Sequence, residues 1–226
     1  QTALLLYYPG LEFIAALFGC LYSGVIAIPA YPPGISARSS SRIESIVKDA
    51  GASLVLTTSK IKETRRKTMD KQTDLKHLGW IETDRIVTNT GDGFTPIRVS
   101  ANDVAYLQYT SGSTSTPKGV IVTHGNLVHN LSCLDFIFSV SRGSGMVSWM
   151  PHFHDFGLVY GILTPLFTGK TCTLLPPAIF VQNPYVWLKA VSDSRASHTA
   201  APNFAYDLCN TRIDDEQRKT LDLSCL

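Results

Sequence analysis

Residues 4–57 read LLLYYPGLEFIAALFGCLYSGVIAIPAYPPGISARSSSRIESIVKDAGASLVLT, a series of apolar runs broken by glycine and proline. Leu4–Tyr8 has strand length, and Pro9-Gly10 ends it. Leu11–Ser23 reads as a buried helix, with Gly24 placed to cap it in the left-handed conformation. Val25–Ile28 is a second strand, closed by Pro29, Pro32 and Pro33. Over Ser39–Ala50 the residues Ile43, Ile46, Val47 and Ala50 recur at helical spacing on one face. Leu54–Thr57 is a third strand. A β-α-β-α-β order calls for parallel strands covered by helices.

The alternation continues along the chain. Residues 60–76 are polar and helix-compatible, and 88–98, with Asn89, Gly91, Gly93 and Pro96, read as a loop. Val104–Tyr109 and Val120–Thr123 are strands flanking a loop of small residues. Asn126–Phe138 is a helix with Leu127, Leu131, Leu134 and Phe138 inward. Met146–Met150 is a strand, Pro151–Asp155 a turn, and Phe156–Phe167 a buried helix. Thr171–Leu175 is a strand, Tyr185–Ser192 a helix, and Pro202–Cys209 begins another. The expected fold class is α/β, with parallel-rich sheets covered by helices. Residues 1–100 would form part of a first subdomain, and 101–226 a strand pair and a second α/β part.

The 226 residues are 44% hydrophobic and 17% charged, a globular balance. A net charge of +2 gives no strong pull toward nucleic acid or membrane. The basic cluster Lys60, Lys62, Arg65, Arg66, Lys67 and Lys71 is interleaved with Glu63 and Asp70 and lacks stacking aromatics, so it reads as a solvated helix face. Five cysteines without a C-x-x-C pair suggest neither a disulfide framework nor a zinc site, and favour a reducing cytoplasm. Phe13–Ile28 is too short and glycine-broken to span a membrane. Both chain ends look cut from something longer.

The chemistry concentrates in Tyr109-Thr110-Ser111-Gly112-Ser113-Thr114-Ser115-Thr116-Pro117-Lys118-Gly119. A loop between strands, rich in hydroxyls and free of acidic side chains, offers donors to an anion, and Lys118 adds a point charge suited to phosphate. Gly112 admits backbone close to a ligand. The alternative is a Ser/Thr-rich surface turn. A Walker loop is excluded: Pro117 stands in place of its second glycine, Gly119 in place of its Ser/Thr, and a strand follows where a helix is needed.

The string YTSGSTSTPKGV resembles the signature loop of the adenylate-forming enzymes, usually T-S-G-S-T-G-x-P-K-G, with Ser115 where glycine is usual. Residues 4–33, the run from Lys118 through HGNLVHNL, Trp149–Leu158 and Ala201–Leu208 are similar to the fatty-acyl-AMP ligase branch. There the Pro-x-x-His-Asp element usually carries Met where Phe156 stands. The resemblance implies that 1–226 is part of the AMP-binding N-terminal domain, and that the C-terminal domain lies elsewhere.

It also implies a two-step reaction. A fatty acid attacks the α-phosphate of Mg-ATP to give acyl-AMP, and the acyl group passes to the phosphopantetheine thiol of an acyl carrier protein, often on a polyketide or peptide synthase. Thr110, Ser111, Gly112, Ser113, Thr114 and Lys118 would hold the β- and γ-phosphates. His154 would act beside the reacting carboxylate, unless it is a structural histidine tied to Asp155. Asn203, Phe204 and Tyr206 would wall the acyl pocket, unless the two aromatics are ordinary core. No metal ligand is expected in this stretch, the main Mg2+ ligand being expected downstream. The alternatives are an acyl-CoA synthetase and a degenerate module that binds nucleotide or acyl chain without turnover.

Overall fold

The computed structural model describes residues 1–32, 37–69, 75, 77–86, 93–110 and 117–226, with the side chains of 37–40 and 65–69 left aside. The chain forms two compact units, Gln1–Leu127 and Val128–Leu226. The division falls at 127/128 and not near 100, because the strand pair after residue 100 completes the first sheet.

In the first unit, β1 (Thr2–Leu6), β2 (Ile26–Ala30), β3 (Leu54–Thr57), β4 (Gly79–Glu82), β5 (Val104–Thr110) and β6 (Lys118–Thr123) form one sheet in the order β4-β3-β1-β2-β5-β6. Every pair is parallel except β5–β6. Ala3, Leu4, Leu5 and Leu6 of β1 are fully buried, as a strand covered on both faces requires. α1 (Leu11–Ser23) ends where its sequence indicates: Gly24 adopts φ 66° and donates its N–H to Cys20 O. α2 (Ala37–Ala50) presents Ile43, Ile46 and Val47 to Leu4, Leu6, Ile28 and Tyr109, the core beneath that face. α3 (Ser59–Met69) carries part of the basic cluster, and Lys62 of it pairs with Glu82 at 2.7 Å. β4 has no counterpart in the sequence reading. Its four residues alternate between exposed and half-buried at the sheet edge, too short a run to stand out. The 88–98 loop lies partly outside the described residues; 93–98 carry no regular element.

The second unit begins within α4 (His124–Phe138) and holds the parallel sheet β8-β7-β9, from β7 (Met146–Ser148), β8 (Cys172–Leu174) and β9 (His198–Thr199). α5 (Thr164–Thr168), α6 (Pro177–Gln182), α7 (Tyr185–Ser194), α8 (Asn203–Arg212) and α9 (Asp215–Lys219) complete it. Its core is aromatic. Trp149 stacks on Phe180 at 3.9 Å, and Trp187 meets both edge-on. Trp187 Nε1 donates to Thr199 Oγ1 (2.8 Å), which donates to Val147 O (2.8 Å), so α7 is tied to both β9 and β7.

The 156–167 stretch corrects the sequence reading. Phe156–Leu163 is a π-helix, and only Thr164–Thr168 is α-helical. The π-helix lies in close approach to the segment before it. A Cβ on Gly157 would lie 2.1 Å from Pro151 O, and one on Gly161 would lie 2.4 Å from Ser148 Oγ. The helix is pressed against the β7 end along its glycines, and its wider turn closes with Thr164 N–H and Oγ1 on Val159 O. Phe138 also departs from expectation: it is about half exposed, with its ring edge-on to Tyr160 at 5.8 Å. α6, β9 and α9 were not anticipated. They are two to six residues long, and their local signals are slight: Pro177 at the start of α6 and the Asp214–Gln217 capping box of α9. Among the described residues no helix is long and apolar enough to cross a membrane.

Candidate functional site

The first unit carries the anion-binding candidates at the open end of the β5–β6 pair. The antiparallel register sets Tyr109 opposite Gly119 and Thr110 opposite Lys118. Thr110 and Lys118 are exposed, and Pro117 is buried. Ser111, Gly112, Ser113 and Thr114 lie outside the described residues, as does Ser115. What is fixed is therefore the base from which the loop springs. A hydroxyl and an ammonium stand side by side across two strands, with Pro117 anchoring the returning chain.

Beneath that base lies a group the sequence reading did not single out. Tyr109 is buried among the first-unit core residues, yet its hydroxyl reaches Asp49 Oδ2 on α2 at 2.6 Å. Burial, and then the hydrogen bond to Asp49, push its phenol well above the usual range, so it remains a neutral donor. A Cβ on Gly119 would come within 2.9 Å of the Tyr109 ring, so the ring fills the space this glycine leaves. A large aromatic facing glycine across a strand pair was the available signal.

The second unit carries the other candidates. His154 Nδ1 lies 2.6 Å from Asp155 Oδ1, and both side chains are more than half exposed. The Asp155 carboxylate also accepts the Phe156 N–H at 2.6 Å, capping the π-helix. Asp155 thus fixes the imidazole and the helix start together, leaving Nε2 as the ring nitrogen it does not engage.

Next to this turn opens a cavity of about 590 Å³. Five aromatic side chains stand in its walls, among aliphatic and polar ones: Phe138 from α4, Phe156 and Tyr160 from the π-helix, Trp187 from α7 and Tyr206 from α8. Phe156 and Tyr160 stack at 5.2 Å, one π-helical step apart. Asp155 and His198 add polar groups to the rim. His198 is held between Phe138 O, which accepts from Nε2 at 2.7 Å, and Ser197 Oγ, 2.8 Å from Nδ1. Of the three acyl-pocket candidates, Tyr206 lines this cavity. Phe204 packs edge-on against Trp149 at 6.1 Å, about half exposed, and Asn203 is exposed at the start of α8. The π-helix and α4 aromatics were missed as lining because apolar residues at helical spacing read first as core.

All five cysteines are free. Burial pushes the Cys20 thiol up to about 11 and that of Cys172 up to about 12, so neither supplies a thiolate at neutral pH. Among the described residues no group of three or more His, Cys, Asp or Glu could hold a metal ion.

The chain is thus an α/β fold with a hydroxyl-and-lysine strand pair in one unit and, in the other, an apolar cavity beside a capped His-Asp turn. The chain belongs to the AMP-binding enzyme family, whose match covers residues 1–226. It is 46% identical, over 99% of its length, to the medium-chain fatty acid–acyl-carrier-protein ligase JamA of Moorena producens, and covers 38% of that protein. It is 36% identical to a long-chain fatty acid–AMP ligase of Mycobacterium marinum, over 95% of this chain and 37% of that one. Its fold is similar to that of the fatty acyl-adenylate ligase from Legionella pneumophila solved with acyl adenylate and pyrophosphate, with a TM-score of 0.89 and 38% identity. That likeness covers 100% of this chain and 38% of the Legionella chain, so the residues described span less than half the length of these relatives.

Proposed function

We propose that these residues belong to a fatty-acyl-AMP ligase, of which 1–226 form part of the AMP-binding domain. The enzyme activates a fatty acid with ATP and delivers it to the phosphopantetheine thiol of an acyl carrier protein. The observation carrying this reading is the aromatic cavity of about 590 Å³ beside Asp155, in a chain similar over its full length to a ligase solved with acyl adenylate. A cavity of that size and lining suits an alkyl chain, with Tyr206, Tyr160 and Phe156 as its walls.

In the reaction a carboxylate oxygen bonds to the α-phosphorus of ATP, the bond from that phosphorus to the bridging oxygen breaks, and pyrophosphate leaves with the electron pair. Two anions must be brought together, so positioned positive charge and donors lower the barrier. Lys118 and Thr110, with Ser111, Gly112, Ser113 and Thr114, hold the β- and γ-phosphates. His154, oriented by Asp155, presents Nε2 to the carboxylate. Asn203 and Phe204, at the start of α8, continue the acyl wall from Tyr206, with Phe204 edge-on to Trp149. Magnesium accompanies the nucleotide and supplies further charge neutralisation; no residue among those described is assigned to it. A reducing cytoplasm suits the five free thiols.

Lys118→Ala in the intact enzyme is expected to slow acyl-AMP formation and ATP–pyrophosphate exchange about 10²-fold, the usual cost of losing one charge-stabilising donor. Unchanged exchange would remove the loop from the mechanism. Supplying holo acyl carrier protein and coenzyme A in competition, with mass analysis of the thioesters, separates this reading from an acyl-CoA synthetase. Acyl-AMP binding without turnover would identify a non-catalytic module.

A further inference from the structure

Tyr109, Asp49 and Gly119 lie in three different elements of the first unit, yet form one contact immediately behind the Thr110–Lys118 pair. The phenol is the last buried side chain of β5 before the chain emerges. Its ring occupies the place of a Gly119 side chain on β6, and its hydroxyl donates to Asp49 near the end of α2. An exposed strand end otherwise held only by its partner strand frays readily. Here the same side chain grips β6 sideways and α2 from below.

We propose that Tyr109 is a positioning residue for nucleotide: the Tyr109–Asp49 hydrogen bond, seated over Gly119, sets the spacing of Thr110 and Lys118 for the triphosphate. This rests on the reading of the 110–118 segment as the phosphate-binding loop and adds to it a support that touches no ligand.

Tyr109→Phe in the intact enzyme keeps the ring and removes only the hydroxyl. The expected result is a roughly fivefold fall in kcat/KM for ATP, the scale of one lost hydrogen bond. Asp49→Ala should give the same fall. Asp49→Asn, whose amide oxygen can accept the same hydroxyl, should recover most of it. The double variant Tyr109→Phe with Asp49→Ala should be no worse than either single one, because both remove the same bond.

A lowered unfolding temperature with unchanged kcat/KM for ATP would overturn the proposal, since the bond would then serve stability alone. Lys118→Ala, assayed alongside, separates the two levels. If it impairs ATP use and Tyr109→Phe does not, only the positioning role fails. If Lys118→Ala has no effect, the loop does not hold nucleotide, and both readings fall.

Discussion

The strand pair of the first unit and the π-helix of the second solve the same problem by opposite means. Each holds polar groups at the surface in a fixed orientation. At β5–β6 the hold comes from a ladder, with one buried tyrosine bridging three elements. At 151–163 it comes from backbone pressed on backbone, with Gly157 against Pro151 O and the His154–Asp155 pair at the helix start. A side-chain contact can yield by rotating, whereas a backbone contact cannot. The first site should therefore tolerate substitution by degrees, and the second should fail abruptly.

The largest effect should follow from emptying the second core. Phe180→Ala removes the ring stacked on Trp149 and is expected to cost about 4 kcal/mol in denaturant unfolding. A cost below about 1 kcal/mol would mean that the cavity-bearing unit does not depend on its aromatic cluster. Gly157→Ala comes next, at about 3 kcal/mol, because its methyl would meet a carbonyl oxygen at 2.1 Å. Gly119→Ala meets only the Tyr109 ring, at 2.9 Å, and should cost about half as much. Equal costs for the two glycines would break the contrast drawn here.

The smallest effect is at acid pH and spans both units. Hydrogen bonds from Ser59 hold the Asp84 carboxyl below its usual range, and the Ser141 N–H does the same for Asp135. A depressed folded value means that the stabilisation is present above the unfolded pKa of about 3.9 and disappears as pH falls through the folded value. The amide proton shifts of Ser59 and Ser141 should therefore titrate with midpoints below about 3.9; midpoints above it would reverse the sign.

The first unit was the more legible in sequence. Apart from β4, its strands are apolar runs, Gly24 marks the end of α1, and Ile43, Ile46 and Val47 mark the buried face of α2. Each signal is local and several residues long. The second unit hid more. β9 is only His198–Thr199, held by pairing with β7 from about fifty residues away, which no local pattern encodes. The cavity drew on Phe138, Tyr160 and Trp187, brought together only by tertiary packing. Thr110 and Lys118 stand out in the sequence as a hydroxyl and a lysine in a loop between strands, whereas His154 is singled out only by the resemblance to the ligase branch. Tyr109 was passed over because an aromatic at a strand end looks like core, which it also is.

The π-helix has one last consequence, a matter of phase. A wider turn accommodates one extra residue, and each residue advances an α-helix by about 100°. Deleting a single residue between Val159 and Leu163 would let 156–168 relax into one continuous α-helix, turning everything on one side of the cut by that angle relative to the other. The segment is thus a ratchet with one tooth, by which a one-residue length change would re-aim the cavity wall at Phe156 relative to the chain leading into β8.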